Sequence, residues 1–252
     1  MVFCSLNRTF APMTEIKKII INVLNDKFKF SITGTDGTQA EHEYAINKKM
    51  SVAANLREVF REQSYMKAAR TTPDGIPCIH AELKVSTPVV LIPVEEEYDP
   101  ETSYNISITG YKYDEKCVKE IPLLDAIAIF PLNRDLKMVV EDNCSEIEVS
   151  NNIIQVWQTL YKNYFKGTQN RNLFTYFYND VMNICYFEQH RFRYANSFKM
   201  TNIDDMLYYI LYVWKQLGMN KETDILSLCG DIPEGIHGKL SKFIKEVREC
   251  VL

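Results

Sequence analysis

Ile19-Ile20-Ile21-Asn22-Val23-Leu24-Asn25-Asp26 reads as an apolar strand that runs into an Asn-Asp turn, and about 154 residues later the theme returns as Leu173-Phe174-Thr175-Tyr176-Phe177-Tyr178-Asn179-Asp180. Each copy is followed by two further strand-like runs and then a helix. In the first copy these runs are Lys27 to Thr33, with alternating Phe28, Phe30 and Ile32, and Thr38 to Ile46, joined by the turn Gly34-Thr35-Asp36-Gly37. A helix is expected from about Ser51 to Ala69, with Val52, Leu56, Val59, Phe60 and Met66 near one face, and Pro73-Asp74-Gly75-Ile76-Pro77 ends it. A duplicated meander-plus-helix points to a two-lobed α/β protein.

In the second copy the corresponding runs are Asn183 to Glu188 and Phe192 to Met200. The helix after them is the clearest element of the chain. Ile203, Met206, Leu207, Ile210, Leu211, Trp214 and Leu217 form one stripe, Thr201 or Asn202 can cap its start, and Gly218 can end it. Ile225 to Cys229 then reads as a buried strand ending in Gly230, and Pro233 opens an expected last helix to Cys250 with Leu240, Phe243, Ile244 and Val247 on its apolar side. Between the copies, Cys78–Val85, Val89–Pro93, Tyr104–Tyr111, Cys117–Pro122, Ala126–Phe130 and Leu136–Val140 are strand candidates, a β-rich inserted section. Glu146 to Val149 is a further strand, and Asn151 to Phe165 a helix that Gly167 can stop. The expected organisation is a leader over 1–14, a first lobe with the β-rich insertion over 15–145, and a second lobe over 146–252. Met13 is an alternative start.

With 252 residues, 46% of them hydrophobic and 25% charged, the chain can bury a sizeable core. A formal net charge of -4 argues against general binding to nucleic acid or anionic membranes. Nor does any apolar run approach the roughly 20 residues needed to span a bilayer. Met1 to Leu6 lacks the basic and apolar regions of a secretory signal. Seven widely spaced cysteines, an odd number without a Cys-x-x-Cys pair, read as reduced thiols in a cytoplasmic protein. Cys185 and Cys229 fall within apolar strands, where a thiol packs as a small hydrophobe.

A strand, tight turn, strand, strand, helix, strand plan occurring twice resembles actin, the Hsp70 ATPase domain and sugar kinases. The stretch Asn196-Ser197-Phe198, then Asp204-Asp205-Met206-Leu207-Tyr208-Tyr209-Ile210-Leu211, then Leu226-Ser227-Leu228-Cys229-Gly230 is similar to an uncharacterised family of anaerobic gut bacteria with an actin-like ATPase fold. Val90-Leu91-Ile92-Pro93 in the middle section shares that likeness. The resemblance covers most of the chain and implies a duplicated actin-like, ribonuclease H-like fold. The pilus-assembly protein PilM, a cytoplasmic actin-like scaffold, is an analogy among characterised proteins of this shape.

That resemblance also implies where a nucleotide would sit. Actin-like ATPases carry an Asp-x-Gly turn between the first two strands of each lobe, the glycine letting backbone amides approach phosphate and the aspartate holding the metal through water. Here the turns Leu24-Asn25-Asp26-Lys27 and Tyr178-Asn179-Asp180-Val181 keep Asp26 and Asp180 and lack glycine. The expected glycine-rich adenine turn is reduced to Gly230 in Leu228-Cys229-Gly230-Asp231-Ile232-Pro233. Asp26, Asp180 and Gly230 are therefore the candidate binding residues, for ATP with magnesium, if nucleotide binding is retained. Asn-Asp is also an ordinary hairpin solution, and Lys27, a conceivable phosphate contact, reads as an exposed strand lysine.

Other polar groupings have plainer readings. Asp204 and Asp205 suit the first turn of a helix, and Glu95-Glu96-Glu97 a solvated loop. His42, His80, His190 and His237 show no metal-ligand spacing. His190-Arg191-Phe192-Arg193-Tyr194 interleaves basic and aromatic residues as a single-strand binder would, yet any half-buried strand alternates this way. Tyr208, Tyr209 and Tyr212 lie on the less apolar side of their helix, suited to packing between lobes or to a partner surface. No nucleophile elbow, Walker loop or dinucleotide fingerprint is present. The expectation is a pseudo-ATPase acting as a protein-interaction scaffold, with an ATP-binding ATPase or nucleotide-dependent switch as the alternative.

Overall fold

The computed structural model describes residues 15–63, 74–75, 77–94, 115–165, 171–178, 180–188 and 191–252, with backbone alone at Arg191. The first copy contributes β1 (Ile16–Val23), β2 (Lys27–Gly34), β3 (Gln39–Ala45), α1 (Val52–Glu62) and β4 (His80–Val85). The insertion follows as β5 (Val90–Pro93), β6 (Glu115–Ile121) and β7 (Ala126–Leu132). The chain then returns through α2 (Arg134–Glu141) and β8 (Glu146–Asn151), and crosses to the second copy by α3 (Asn152–Leu160), which widens into a π-turn over Tyr161–Phe165. The second copy is β9 (Asn172–Tyr178), β10 (Val181–Glu188), β11 (Arg191–Lys199), α4 (Ile203–Gln216), β12 (Ile225–Gly230), α5 (Ile236–Leu240) and β13 (Glu246–Cys250).

Both copies build a five-stranded sheet with the same plan, β3-β2-β1-β4-β8 in one and β11-β10-β9-β12-β13 in the other. In each, the first strand pairs antiparallel with the second and parallel with the fourth. A three-stranded antiparallel sheet, β5-β7-β6, makes up the insertion. The chain divides into two compact units: residues up to Val85 with Asn133–Ser150, and Ser86–Leu132 with Asn151–Leu252. The insertion thus groups with the second copy, whereas its place in the sequence suggested the first lobe.

Sequence pattern explains the elements. Along β2, Phe28, Phe30 and Ile32 are buried while Lys27, Lys29 and Ser31 are not, the period of two of a half-buried strand. Phe30 meets Phe60 of α1 edge to face at 6.0 Å. Ser51 caps α1 by accepting from the Ala54 amide at 3.1 Å, and Asn202 caps α4 by accepting from Asp205 at 2.9 Å. On α4, Met206, Ile210, Val213 and Trp214 are buried against Leu173, Phe177, Leu226 and Leu228 of the sheet.

Three expectations are corrected. Leu136–Val140 is part of helix α2 and not a strand, because the Asn133 side chain accepts from the Leu136 amide at 2.9 Å and Leu136, Val139 and Val140 fall on one buried helical face. The last helix spans only Ile236–Leu240; Glu246–Cys250 is a parallel strand on β12. Leu240 and Ile244 do enter the core, but Phe243, in register with a continued helix, is exposed. Placing Cys250 on a strand also sets it opposite Cys229, with Cα atoms 5.1 Å apart, and the two are joined by a disulfide rather than being free thiols. Residues 64–69 of the expected first helix and the Tyr104–Tyr111 strand lie outside the described residues.

Candidate functional site

Asp26 and Asp180 occupy equivalent hairpins, each at the end of the first strand of its copy. The β1–β2 turn is closed by the Leu24 amide donating to the Lys27 carbonyl at 3.0 Å. Each aspartate offers its own backbone carbonyl to the chain just past the third strand: the Ile46 amide donates to Asp26 at 2.8 Å, and the Met200 amide to Asp180 at 2.7 Å. The duplication is thus carried down to single hydrogen bonds. Both aspartate residues are exposed. Asn179 lies outside the described residues. Lys27 reaches Glu43 across the hairpin at 2.8 Å, pairing as an exposed strand lysine does.

Gly230 sits in the second unit with Asp180, pairing with Phe177 at the same end of β9. Its φ of 82° is left-handed, and a Cβ there would overlap the Phe177 carbonyl oxygen and come within 2.7 Å of Tyr176 Cε2. The freedom of this glycine is therefore used for close approach of the β12 end to β9. The Asp231 amide donates to the Phe177 carbonyl at 2.9 Å and completes the turn. At the matching strand position of the first unit stands Val85, which is buried.

Two residues beside this turn were not singled out by sequence. Tyr176 and Tyr178 lie two apart on β9 and stack with ring centroids at 6.2 Å and planes 6° apart. Burial, then the neighbouring Tyr178 and Asp231, push the Tyr176 hydroxyl above the ordinary phenol range, so it is neutral at pH 7. Their i, i+2 spacing on a strand was the available signal. Arg171 is a second omission. Its guanidinium donates to the Tyr186 hydroxyl at 2.6 Å and to the carbonyls of Leu217 and Gly218 at 2.7 and 3.0 Å, so it caps the end of α4 and ties it to β10.

The remaining polar groups serve the fold. Asp205 accepts from the Thr201 hydroxyl and the Asn202 side chain, and Asp204 pairs with Lys239 at 2.6 Å. His80 contacts Glu146 at 3.0 Å, and His237 lies 3.2 Å from the Val247 carbonyl. Among the described residues no three His, Cys, Asp or Glu side chains gather as a metal site, and no helix is long and apolar enough to cross a membrane. Glu95–Glu97 and His190 lie outside the described residues, as does the Arg191 side chain. On α4, Tyr208 and Tyr212 are exposed and stacked at 6.0 Å, while Tyr209 stacks on Phe198 at 4.6 Å.

Comparison with known proteins follows the architecture. A Bacteroides thetaiotaomicron crystal structure, of a protein with actin-like ATPase fold and unknown function, is similar over 94% of this chain and 91% of that one, with a TM-score of 0.76 at 21% identity. The PilM–PilN type IV pilus biogenesis complex contains a chain that matches over 95% of this one and 89% of its own length, with a TM-score of 0.51 at 9% identity. No curated protein matches the chain. The family model described as a protein of unknown function, DUF3822, matches residues 8–247, nearly the whole length. The chain therefore belongs to the DUF3822 family and has the duplicated actin-like ATPase fold.

Proposed function

We propose that this protein is a pseudo-ATPase, a non-catalytic scaffold that uses the actin-like fold to bind another protein. The observation that carries the reading is the state of the three turns a nucleotide would need. The Asp26 and Asp180 turns present side-chain-bearing residues where phosphate requires glycine amides, and Gly230 spends its missing Cβ on the Phe177 carbonyl and the Tyr176 ring. The residues present do not fit ATP with magnesium. Exposed Tyr208 and Tyr212 supply an amphipathic surface of the type partners use. An actin-fold protein engaged by another protein, as in the PilM–PilN complex, is a precedent for the shape.

The alternative, a nucleotide-dependent switch, draws on the equivalent exposed aspartates at Asp26 and Asp180. Thermal unfolding with and without millimolar Mg-ATP separates the two. The scaffold reading expects no change in Tm. A ligand at 100 times its Kd stabilises by about 2.7 kcal/mol, which moves Tm by about 5–10 °C in a chain of this size, so a shift that vanishes in Asp26→Ala or Asp180→Ala would replace the scaffold with the switch.

A further inference from the structure

We propose that Cys229–Cys250 is an exchangeable dithiol–disulfide pair that tethers and releases the C-terminal edge strand β13. The two cysteines are register partners on adjacent parallel strands. The two ends of the bridge differ in what holds them. Cys229 belongs to β12, where Ile225 to Cys229 are all buried, and β12 is paired on both sides, to β9 and β13. Cys250 ends β13, an edge strand of five residues in which none is fully buried and Arg248 and Glu249 are exposed. A strand with so little buried surface has low local stability of its own. Besides its ladder to β12, β13 is held by Val247 packing on the core and by His237 near the Val247 carbonyl at 3.2 Å, and the chain just past it by the Tyr164 hydroxyl donating to the Val251 carbonyl at 2.5 Å.

Access to sulfur is also one-sided. Cys229 is wholly buried, whereas Cys250 is part-exposed at the sheet edge, with no further strand beyond it among the described residues. A small-molecule thiolate of the glutathione class attacks Cys250 Sγ, forming a mixed disulfide there and expelling the Cys229 thiolate, which takes up a proton. A second thiolate attacks the small-molecule sulfur of that mixed disulfide and frees Cys250. Two small thiols become one small disulfide, and the protein cystine gains two electrons and two protons. The reverse exchange with the small disulfide closes the bridge. The buried thiols Cys144, pushed up to about 12 by burial, and Cys185, pushed up in the same way, stand outside this exchange.

The test equilibrates the purified full chain in glutathione buffers from reduced to oxidised, traps thiols by alkylation, maps the peptides, and measures amide hydrogen exchange in both states. Expected is a joined Cys229–Cys250 peptide in oxidised buffer and two alkylated cysteines in reduced buffer, with Glu246–Cys250 amides exchanging at least about tenfold faster after reduction while Ile225–Gly230 amides change less. Cys250→Ser should show the fast exchange in both buffers. The proposal is overturned if the pair stays as free thiols in oxidised buffer, stays joined in millimolar reduced glutathione, or opens without changing exchange in β13.

Discussion

The two five-stranded sheets share strand order and even the hydrogen bonds at their hairpins, yet they are buried differently. The first sheet is apolar on one face only. Its other face carries Lys18 and Lys84 on Glu82, Lys27 on Glu43, Lys29 on Glu41 and His80 on Glu146. The second sheet is apolar on both: α4 and α5 pack one face, and Phe174, Cys185 and Phe187 line the other, with Tyr161 and Tyr164 of the π-turn at 5.5 Å from Phe187 and 6.1 Å from Phe174. Even one matched pair shows the change, since Lys18 and Glu82 at 2.9 Å occupy the strand positions that Asn172 and Ser227 fill at 2.9 Å in the second sheet. Topology in this fold is therefore independent of how many faces are buried. The antiparallel, one-sided β2 alternates, while two-sided β10 reads as a nearly continuous apolar run.

The largest expected effect breaks that contrast at a matched position. Phe174→Ala in β9 should cost about 3–5 kcal/mol in urea unfolding, whereas Ile20→Ala at the corresponding, half-buried place in β1 should cost about 1–2 kcal/mol. Equal costs would mean that the two sheets are buried alike. A smaller effect sharpens the comparison at the strand ends. Gly230→Ala, with positive φ and no room for a Cβ, should cost about 2–3 kcal/mol, while Val85→Ala at the matching place loses only methyl burial, about 1–2 kcal/mol. A Gly230→Ala variant as stable as wild type would dissolve the reading of Gly230 as a packing glycine.

The smallest effect concerns the charged face. Burial pushes Glu82 upward, but the hydrogen bonds from Lys18 and Lys84 outweigh it and hold the carboxyl below the usual range. A carboxyl lowered in the folded state contributes stability above its unfolded pKa and loses it as pH falls through the folded value. Wild type should thus lose up to about 1 kcal/mol more than Glu82→Gln as pH drops below about 4.5, by denaturant unfolding across pH. Parallel pH curves for the two proteins would remove Glu82 from the account.

Sequence patterning was most informative where one residue period runs through a whole element. β1 to β3, β9 to β11 and α4 were legible, and their recurrence implied the duplicated fold. Short segments were not. Leu136–Val140 is five residues long, so its apolar content suits strand or helix equally until the Asn133 cap is considered. Leu240, Phe243, Ile244 and Val247 keep helical spacing across a break, and only tertiary pairing shows that Val247 is in a strand. The cystine was hidden by the same error. The turns that carry Asp26, Asp180 and Gly230 could be placed at strand ends from the sequence, but the packing of Tyr176 against Gly230 depends on the β9–β12 register, which no local pattern encodes.

The division of the chain has a consequence for its synthesis. The first unit needs β4 and, about 50 residues later, α2 and β8, while the second needs β5 to β7, made before the first unit is finished, and everything from Asn151 onward. During translation the sheet of the first copy cannot close until Ser150 has left the ribosome, and the insertion strands wait longer still for β9 to β13. The two halves are interleaved in time as well as in sequence. No single cut can release either as a complete folding unit, and a chain ending near residue 150, once free of the ribosome, would hold one finished sheet and three strands without their unit.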